Sequence, residues 1–370
     1  MALSTIPFSG LGADASKQGI NFRNLIINGD MSIAQRGTSI TGLTNESNYG
    51  SVDRYKPIIN GSGTWTSSQE TDVPTGQGFA KSMKMACTTL DATPNYLFVS
   101  QKLEGQMLQH LKKGTSNAES LTCSFWVKSN KTGTYIVELY DADNARRISK
   151  SYSISSASTW EKKTLTFEGD TTGSFDNDNA QSLQVNFWLG AGTSFTSGTL
   201  GTSWSANTNA DRAVGQVNLA DSTSNYINFT GVQLEVGTSA SDFEFLPYDV
   251  NLQRCQRYYF EINPNGANGG PVYPARTNGG FDVQNIGIDC PVPLRIGNPS
   301  ITIQSGTIMQ VWANTFSQTS AGGGSVTGLV DTGSNSNRLM VNTNGFSGLT
   351  GNISAVWGPI LQSMPVDAEL

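Results

Sequence analysis

Apolar and polar residues alternate along much of the chain, which is the period of a half-buried β-strand. The clearest case is LTCSFWV at 121–127, where the odd-numbered residues are apolar and Trp126 lies on the opposite face. The segment LQVNFWL at 183–189 repeats this arrangement with Trp188. Residues 135–140 form a further predicted strand that pairs with 121–127. Short strands of this kind predict an all-β fold: an antiparallel β-sandwich (jelly roll) followed by a second, smaller β-sandwich.

Residues 226–259 join these two β-rich parts. Apolar residues alternate from Ile227 to Val236, but the phase slips at Thr230-Gly231, which predicts a β-bulge. After Pro247 the apolar residues recur at helical spacing, and Asp249 is placed to cap a short helix. The predicted organisation is an N-terminal segment 1–23, a jelly-roll domain 24–248, a hinge 249–259 and a C-terminal β-rich domain 260–370.

Three further segments have recognisable patterns. An apolar strand is predicted at 24–28, before a turn signal. Apolar residues at 103, 107 and 111 predict a short amphipathic helix within 101–113. Residues 190–220 read as a long polar loop, and its apolar anchors are Phe195, Leu200 and Trp204.

Composition agrees with a turn-rich β protein and argues against several classes of function. The chain has 370 residues, 40 glycines and only 14% charged residues. The net charge is −6 and no basic run exceeds two residues, which excludes a nucleic-acid groove and an anionic membrane surface. No apolar run approaches the length of a membrane span, and the first residues lack the features of a signal peptide. The four cysteines are widely spaced and predict free buried thiols.

Signals of catalysis or metal binding are weak. The single histidine, His110, falls on the polar side of the predicted helix, and no G-x-S-x-G motif occurs. The acid pairs Asp141/Asp143 and Asp176/Asp178 lie in turn-like runs, where Asp and Asn are common for conformational reasons. Asp176 and Asp178 are the candidate calcium ligands, although their DNDN run lacks the rest of an EF-hand loop.

Aromatic residues are the better candidates for binding. Trp126, Tyr140 and Trp188 oppose the aliphatic face of their strands, where flat rings either stack on sugars or are simply buried. Burial is the favoured interpretation, because tryptophan is highly buried on average. Aromatic residues and arginine are common contact residues in binding interfaces, so those in the C-terminal domain are candidates as well. The candidates there are Tyr273, Arg276, Phe281, Trp312 and Phe316.

Several of these segments resemble a known family. The opening NLIINGDMSIAQRGTS (24–39), the segments QKLEG (101–105) and LTCSFWVK (121–128), and the stretch 229–259 are similar to a domain common in bacteriophage virion proteins. That domain has a carbohydrate-binding-module-like jelly roll. The end of the chain, with PVPLR at 291–295, resembles the receptor-binding tip of phage tail fibres.

The resemblance implies a non-enzymatic virion fibre or spike that assembles as a homotrimer in the host cytoplasm. Residues 1–23 would dock on other virion proteins, and the tip would meet a host cell-surface polysaccharide or receptor. No cofactor, nucleic acid or membrane insertion is implied, apart from a structural calcium ion. Related modules often carry a carboxylate where this chain has Gly231 or Gln233. The alternatives are a capsid-attached fibre, a monomeric glycan-binding module of a secreted enzyme, and a hydrolase.

Overall fold

The chain divides into two units, of which the first ends at Asn251 and the second begins at Leu252. This division falls inside the predicted hinge 249–259. The computed structural model describes residues 22–45, 49–262, 273–280, 283–297, 299–301, 308–313, 318–322, 325–329, 337–344, 349–359 and 364–370. Most of the predicted N-terminal segment 1–23 lies outside the described residues. Within them, no helix is long and apolar enough to span a membrane.

Two six-stranded antiparallel sheets form the first unit, which confirms the predicted β-sandwich of the jelly-roll type. Sheet I has the strand order β1-β3-β4-β12-β6-β9, and sheet II has the order β11-β8-β7-β10-β5-β2. The strands of sheet I are β1 (Ser39–Leu43), β3 (Thr64–Glu70), β4 (Ser82–Thr89), β6 (Leu121–Ser129), β9 (Glu161–Phe167) and β12 (Tyr226–Val236). The strands of sheet II are β2 (Lys56–Asn60), β5 (Tyr96–Glu104), β7 (Gly133–Asp141), β8 (Arg146–Ile154), β10 (Gln181–Ala191) and β11 (Ser205–Ala206).

The core lies between the two sheets and is filled by the apolar positions of the alternating segments. Phe125 on β6 packs edge-on against Phe187 on β10, with ring centroids 5.2 Å apart. Phe187 also contacts Phe229 on β12, at 5.2 Å. These aromatic contacts between facing strands bury large apolar surfaces, which is the main favourable term in folding. Cys87 and Cys123 are buried free thiols, as predicted, and burial raises the pKa of the Cys123 thiol to about 12.

The predicted bulge in β12 is confirmed. The pairing of β12 with β6 shifts between Thr230 and Gln233, and Gly231 has a φ of +61°. Because one extra residue is inserted there, Phe229 and Val232 both face the core although they differ in parity. Both are almost fully buried, so the slip in the hydrophobic pattern records a real change of phase in the strand.

Two local predictions in the first unit were wrong. Residues 24–28 form no strand: the segment is irregular and buried, and the Leu25 N–H donates to the carbonyl of Leu234. The helix predicted within 101–113 is also absent, because β5 extends to Glu104. Only two 3-10 turns follow, Gly105–Met107 and Gln109–Leu111.

The predicted pairing of 135–140 with 121–127 was wrong as well. Strand β6 pairs with β9 and β12, whereas β7 pairs with β8 and β10. The short link at 130–132 crosses from sheet I to sheet II, so these consecutive strands lie in different sheets. The hydroxyl of Tyr135 donates to the carbonyl of Lys131, which fixes the link at its crossing point.

The segment 190–220 contains a short helix α1 (Thr193–Thr196), β11 and two 3-10 turns, Asn209–Asp211 and Leu219–Asp221. Its three predicted anchors are confirmed. Phe195 and Leu200 pack into a small apolar cluster with Trp188, and Trp204 packs against the main core. The segment therefore lies over the outer face of sheet II.

Helix α2 (Tyr248–Gln256) follows Pro247, as predicted. Asp249 lies in its first turn, and Tyr259 belongs to the next strand rather than to the helix. The start of α2 is fixed within the first unit by Asn251, whose amide donates to the Asp30 carboxylate and to the Ser32 hydroxyl, both at 3.0 Å.

Apart from the end of helix α2, the regular elements in the described part of the second unit are antiparallel strands. A three-stranded sheet has the order β13-β22-β16, and a seven-stranded sheet has the order β18-β17-β21-β14-β15-β20-β19. The strands are β13 (Tyr259–Ile262), β14 (Tyr273–Gly280), β15 (Val283–Asp289), β16 (Ser300–Ile301), β17 (Ile308–Ala313), β18 (Gln318–Gly322), β19 (Ser325–Leu329), β20 (Arg338–Asn344), β21 (Leu349–Pro359) and β22 (Met364–Asp367).

Candidate functional site

The outer face of sheet II carries an open cleft of about 460 Å³, which we call the sheet II cleft. Its floor comes from β5, β7 and β10, and the segment 190–220 forms one wall. This volume is within the range usual for ligand sites. Both aromatic and polar side chains line it: Tyr96, Phe98, Lys102, Tyr140, Gln184, Phe195, Asn209 and Arg212.

Strand register places three of these side chains in one row across the sheet. Gln184 on β10 lies opposite Lys102 on β5 and, on its other side, opposite Tyr140 on β7. Alternate residues of a strand point to the same face. Because Val185 and Leu183 fill the core, Gln184 must point outward into the cleft. The Gln184 amide is held by a hydrogen bond that it donates to the Ser100 hydroxyl, at 2.8 Å.

Aromatic rings support one end of the cleft. Tyr96 packs edge-on against Phe195, with centroids 5.2 Å apart, and lies 6.0 Å from Phe98. Phe98 in turn contacts Trp188 at 4.9 Å, and Trp188 contacts Phe195 at 5.5 Å. These contacts hold the Phe195 ring, and with it the segment 190–220, against sheet II. The wall of the cleft is therefore built on packed side chains.

Arg212 joins the segment 190–220 to sheet II through the buried carboxylate of Glu138. Its Nε and Nη2 donate to the two oxygens of Glu138, at 2.7 and 2.9 Å. Glu138 also accepts from the Asn186 amide at 2.9 Å and from the Trp188 indole at 3.3 Å. The guanidinium carbon lies 5.5 Å from the Tyr140 ring centroid, within cation–π range. The Arg212–Glu138 pair is therefore bidentate, which leaves both side chains little freedom to move.

The electrostatic balance at Arg212 follows from this pairing. Burial by itself would lower the pKa of Arg212, but the charge and hydrogen bonds of Glu138 outweigh it and hold that pKa above its ordinary value. Glu138 is fully buried, and its carboxylate forms a salt bridge with Arg212. Each member of the pair therefore depends on the other.

The structure separates the three sequence candidates of the first unit. Tyr140 is half-buried and lines the sheet II cleft. Trp188 belongs to the same face, but it is fully buried beneath the covering segment and presents no free ring. Trp126 lies on β6, on the outer face of sheet I, and it is half-buried there. Only Tyr140 is therefore placed to touch a ligand in the cleft.

For the candidates in the second unit, the structure gives the strands on which they lie. Tyr273 and Arg276 lie on β14, and Trp312 lies on β17. Phe281 and Phe316 lie outside the described residues. Strand β21 pairs with both β14 and β17, so the backbone brings these three strands together in one sheet.

Three of the four acidic residues singled out in the sequence have carboxylates with structural contacts. Asp178 accepts from the Ala180 N–H at 2.9 Å, and Asp143 accepts from the Asp176 N–H at 3.0 Å. Asp141 is buried and forms an ion pair with Lys113 at 2.6 Å. Among the described residues, no group of three or more His, Cys, Asp or Glu side chains is arranged to hold a metal ion.

Most of the cleft was missed from the sequence. Tyr96, Lys102 and Gln184 lie on strands that carry the alternating pattern, and their outward phase was the available signal. Arg212 lies in a polar loop and has no such signal. Its partner Glu138 is 74 residues away, and only the folded chain brings the two together.

No family model matches the chain, and no curated protein matches it. Similar solved structures include the enzymatically active domain of bacteriophage CBA120 tailspike protein 4, at 13% identity and a TM-score of 0.33 over 58% of this chain, although the chain spans only 22% of that one. A putative sugar binding protein from Bacteroides thetaiotaomicron has 12% identity and a TM-score of 0.32, over 58% of this chain and all of that one.

A structure described as CBM4 structure and function has 12% identity and a TM-score of 0.28, over 57% of this chain and 98% of that one. At such scores these likenesses establish no family for the chain. The identification of the first unit as an antiparallel β-sandwich of the jelly-roll type therefore rests on its own strands and their pairing.

Proposed function

We propose that the first unit binds a saccharide chain in the sheet II cleft. The observation that carries the proposal is the row in which Tyr140 and Gln184 lie side by side, with Arg212 fixed above them by Glu138. Sugars expose apolar C–H faces, which pack on aromatic rings, and hydroxyls, which pair with amides and guanidinium groups. An open cleft lined by both kinds of side chain suits such a ligand.

Preorganisation favours binding at this site. Tyr140 and Gln184 project from central strands of sheet II, and Arg212 is held by two hydrogen bonds. Side chains that are already fixed lose little conformational entropy when a ligand arrives. The cleft should therefore bind as a rigid surface, without closure of a lid.

Replacing Tyr140 with alanine is expected to weaken glycan binding by about tenfold or more, because it removes the aromatic ring on which the sugar is proposed to pack. A glycan array would first identify a bound saccharide, and titration calorimetry of the 370-residue protein would then give its affinity. Trp126→Ala is the matched control, since Trp126 is a half-buried aromatic on the opposite sheet. Loss of binding in Trp126→Ala, with Tyr140→Ala unchanged, would place the site on sheet I and contradict the proposal.

For the whole chain we propose a non-enzymatic virion fibre or spike that attaches to a host-surface polysaccharide. The support is the resemblance of residues 24–39, 101–105 and 229–259 to phage virion proteins, together with the cleft. Several copies of a weak site would add avidity at a polysaccharide surface. Attachment to the tail or to the capsid would give the same chain the same role.

The fibre proposal predicts a homotrimer. Light scattering on the purified full-length protein is expected to give three times the chain mass of 39.5 kDa. A mass that stays at one chain over a wide concentration range would contradict the fibre and favour the alternative, a monomeric glycan-binding module. Glycan binding in the cleft is independent of this outcome, because all of its lining belongs to one chain.

A further inference from the structure

We propose that the sheet II cleft selects a saccharide that carries acetyl groups, linked to the sugar through nitrogen or oxygen. This inference rests on the proposed function and specifies its ligand class. It follows from a small apolar area at one end of the cleft and from a hydrogen-bond donor that lies beside it.

Four apolar or aromatic side chains line one end of the cleft, which we call the apolar end: Ile58, Tyr96, Phe98 and Phe195. Ile58 on β2 lies opposite Phe98 on β5, and Tyr96, two residues earlier on β5, points to the same face. Phe195 reaches this end from helix α1. Lys102 is four residues beyond Phe98, about 13 Å further along β5, so the apolar end is separate from the row that contains Lys102.

The two phenylalanine rings at the apolar end offer no open face on which a sugar could stack. Phe98 and Phe195 are only 7% and 8% exposed. Trp188 packs on Phe98 with ring centroids 4.9 Å apart, and the guanidinium carbon of Arg212 lies over the Phe195 ring, 5.7 Å from its centroid. A sugar ring packs through its broad C–H face and needs an open aromatic face. A methyl group needs only a small apolar surface, which Ile58 and the exposed ring edges provide.

A hydrogen-bond donor lies beside the apolar end. Arg212 directs Nε and Nη2 to Glu138, and its Nη1 makes no hydrogen bond to the described part of the chain. The guanidinium carbon is 5.7 Å from the Phe195 ring centroid and 5.5 Å from that of Tyr140. An acetyl group carries a carbonyl oxygen and a methyl group on the same carbon. Nη1 can therefore donate to the acetyl oxygen while the methyl group contacts the apolar end and the sugar ring stays close to Tyr140.

An unsubstituted sugar can use this donor but gains nothing from the apolar end. Its hydroxyl would accept a hydrogen bond from Arg212, yet it would lose water against an apolar surface without compensation there. Acetylation places a methyl group at that surface, and removal of a methyl group from water is favourable. The argument applies equally to N-acetyl and O-acetyl groups, because both present the same carbonyl and methyl.

The test compares saccharides that differ only in acetylation, on the full 370-residue protein. Chitotetraose and cellotetraose have the same β-1,4-linked backbone and differ in the N-acetyl group that replaces one hydroxyl of each residue. O-acetylated xylotetraose and the same oligosaccharide after mild alkali differ in their O-acetyl groups. In at least one pair we expect the acetylated member to bind about tenfold more tightly, from the buried methyl group and the added hydrogen bond. The pair that shows the preference identifies the linkage of the acetyl group.

Ile58→Thr is expected to reduce the preference for the acetylated member by about threefold or more, and Ile58→Val is expected to retain it. Threonine and valine are both β-branched and differ in a hydroxyl for a methyl group, so the comparison isolates the polarity of the apolar end. Binding of the unsubstituted member should be the same in both variants, which checks that the cleft is intact. Ile40→Thr is the matched control, since Ile40 is a half-buried isoleucine on the edge strand β1 of sheet I.

Three results would overturn the inference: no preference for the acetylated member in either pair, no binding of any acetylated probe, or the same preference in Ile58→Thr as in Ile58→Val. In each case, saccharide binding that is lost in Tyr140→Ala would leave the proposed glycan site intact. A wild-type protein that binds no saccharide on a broad array would overturn the proposed function itself.

Discussion

Glu138→Gln is expected to lower the free energy of unfolding of the first unit by about 3–5 kcal/mol, because it leaves a buried guanidinium without its charge partner. Glutamine keeps the size of the side chain, so the loss reports the charge and its hydrogen bonds rather than a cavity. Glu138 receives hydrogen bonds from Arg212, Asn186 and Trp188. Glutamine can accept through only one oxygen, and its amide nitrogen would face the Arg212 donors.

Urea unfolding followed by tryptophan fluorescence would measure this loss. Glu161→Gln is the matched control: Glu161 pairs with Lys163 at a site where both side chains are 17% exposed. A partly exposed pair that solvent still screens contributes about 0–1 kcal/mol. A second test is Arg212→Met in the Glu138→Gln background, which should recover part of the stability because the uncompensated charge is gone. A loss in Glu138→Gln no larger than that in Glu161→Gln would show that the pair is not needed for folding.

Gly231→Ala is expected to destabilise the first unit by about 2–5 kcal/mol, because the backbone conformation and the available space both exclude a side chain. Gly231 has a φ of +61°, and a Cβ there would lie 2.5 Å from the Phe79 ring. The position is the bulge of β12, so a shift would disturb its pairing with β6.

Gly42→Ala separates the two causes. Gly42 has a φ of +74° on β1, but a Cβ there would meet nothing within 4 Å. This control therefore carries the backbone penalty alone, about 1–2 kcal/mol. The difference between the two variants in urea unfolding measures the clash with Phe79. If Gly231→Ala were as stable as Gly42→Ala, the Phe79 ring would have room to move and the bulge would tolerate a side chain.

The features that could be predicted from the sequence are those whose hydrophobic pattern lies within one short segment. The phase slip around Gly231 is visible in the order of apolar residues, and the structure shows the bulge there. The anchors Phe195, Leu200 and Trp204 were visible for a similar reason, since each is a large apolar residue in a polar segment. Local patterns of this kind depend on a few neighbouring residues, so they can be read without knowing the partner strand.

Strand order was not accessible in the same way. The link at 130–132 looks like a hairpin connection, but it crosses between the sheets, and nothing in its residues distinguishes the two cases. Strand β8 illustrates a different failure. Its alternating Ile148, Tyr152 and Ile154 are spaced by polar residues and were not recognised as a strand. In the second unit β14, with the sequence YPARTNGG, carries no alternation of apolar and polar residues that would mark it as a strand.

The cleft could not be assembled from the sequence because its parts are distant along the chain. Lys102, Tyr140 and Gln184 come from three strands, and only their register shows that they share a row. The buried partner of Arg212 illustrates the same limit, since a carboxylate inside an apolar strand is not visibly linked to one arginine in a loop. Tyr140 was identified as a candidate because its own strand showed which face it occupies.

The way in which the segment 190–220 is attached has a consequence for evolution. Phe195 and Arg212 hold it to sheet II, while Asn209 lines the cleft between them and is exposed. A substitution at Asn209 would alter the surface offered to a ligand without removing either attachment. If the cleft binds a host-surface saccharide as proposed, selection could change ligand preference here while fold stability stays nearly constant, and a lineage that meets a new host surface could adapt by changes at the rim alone.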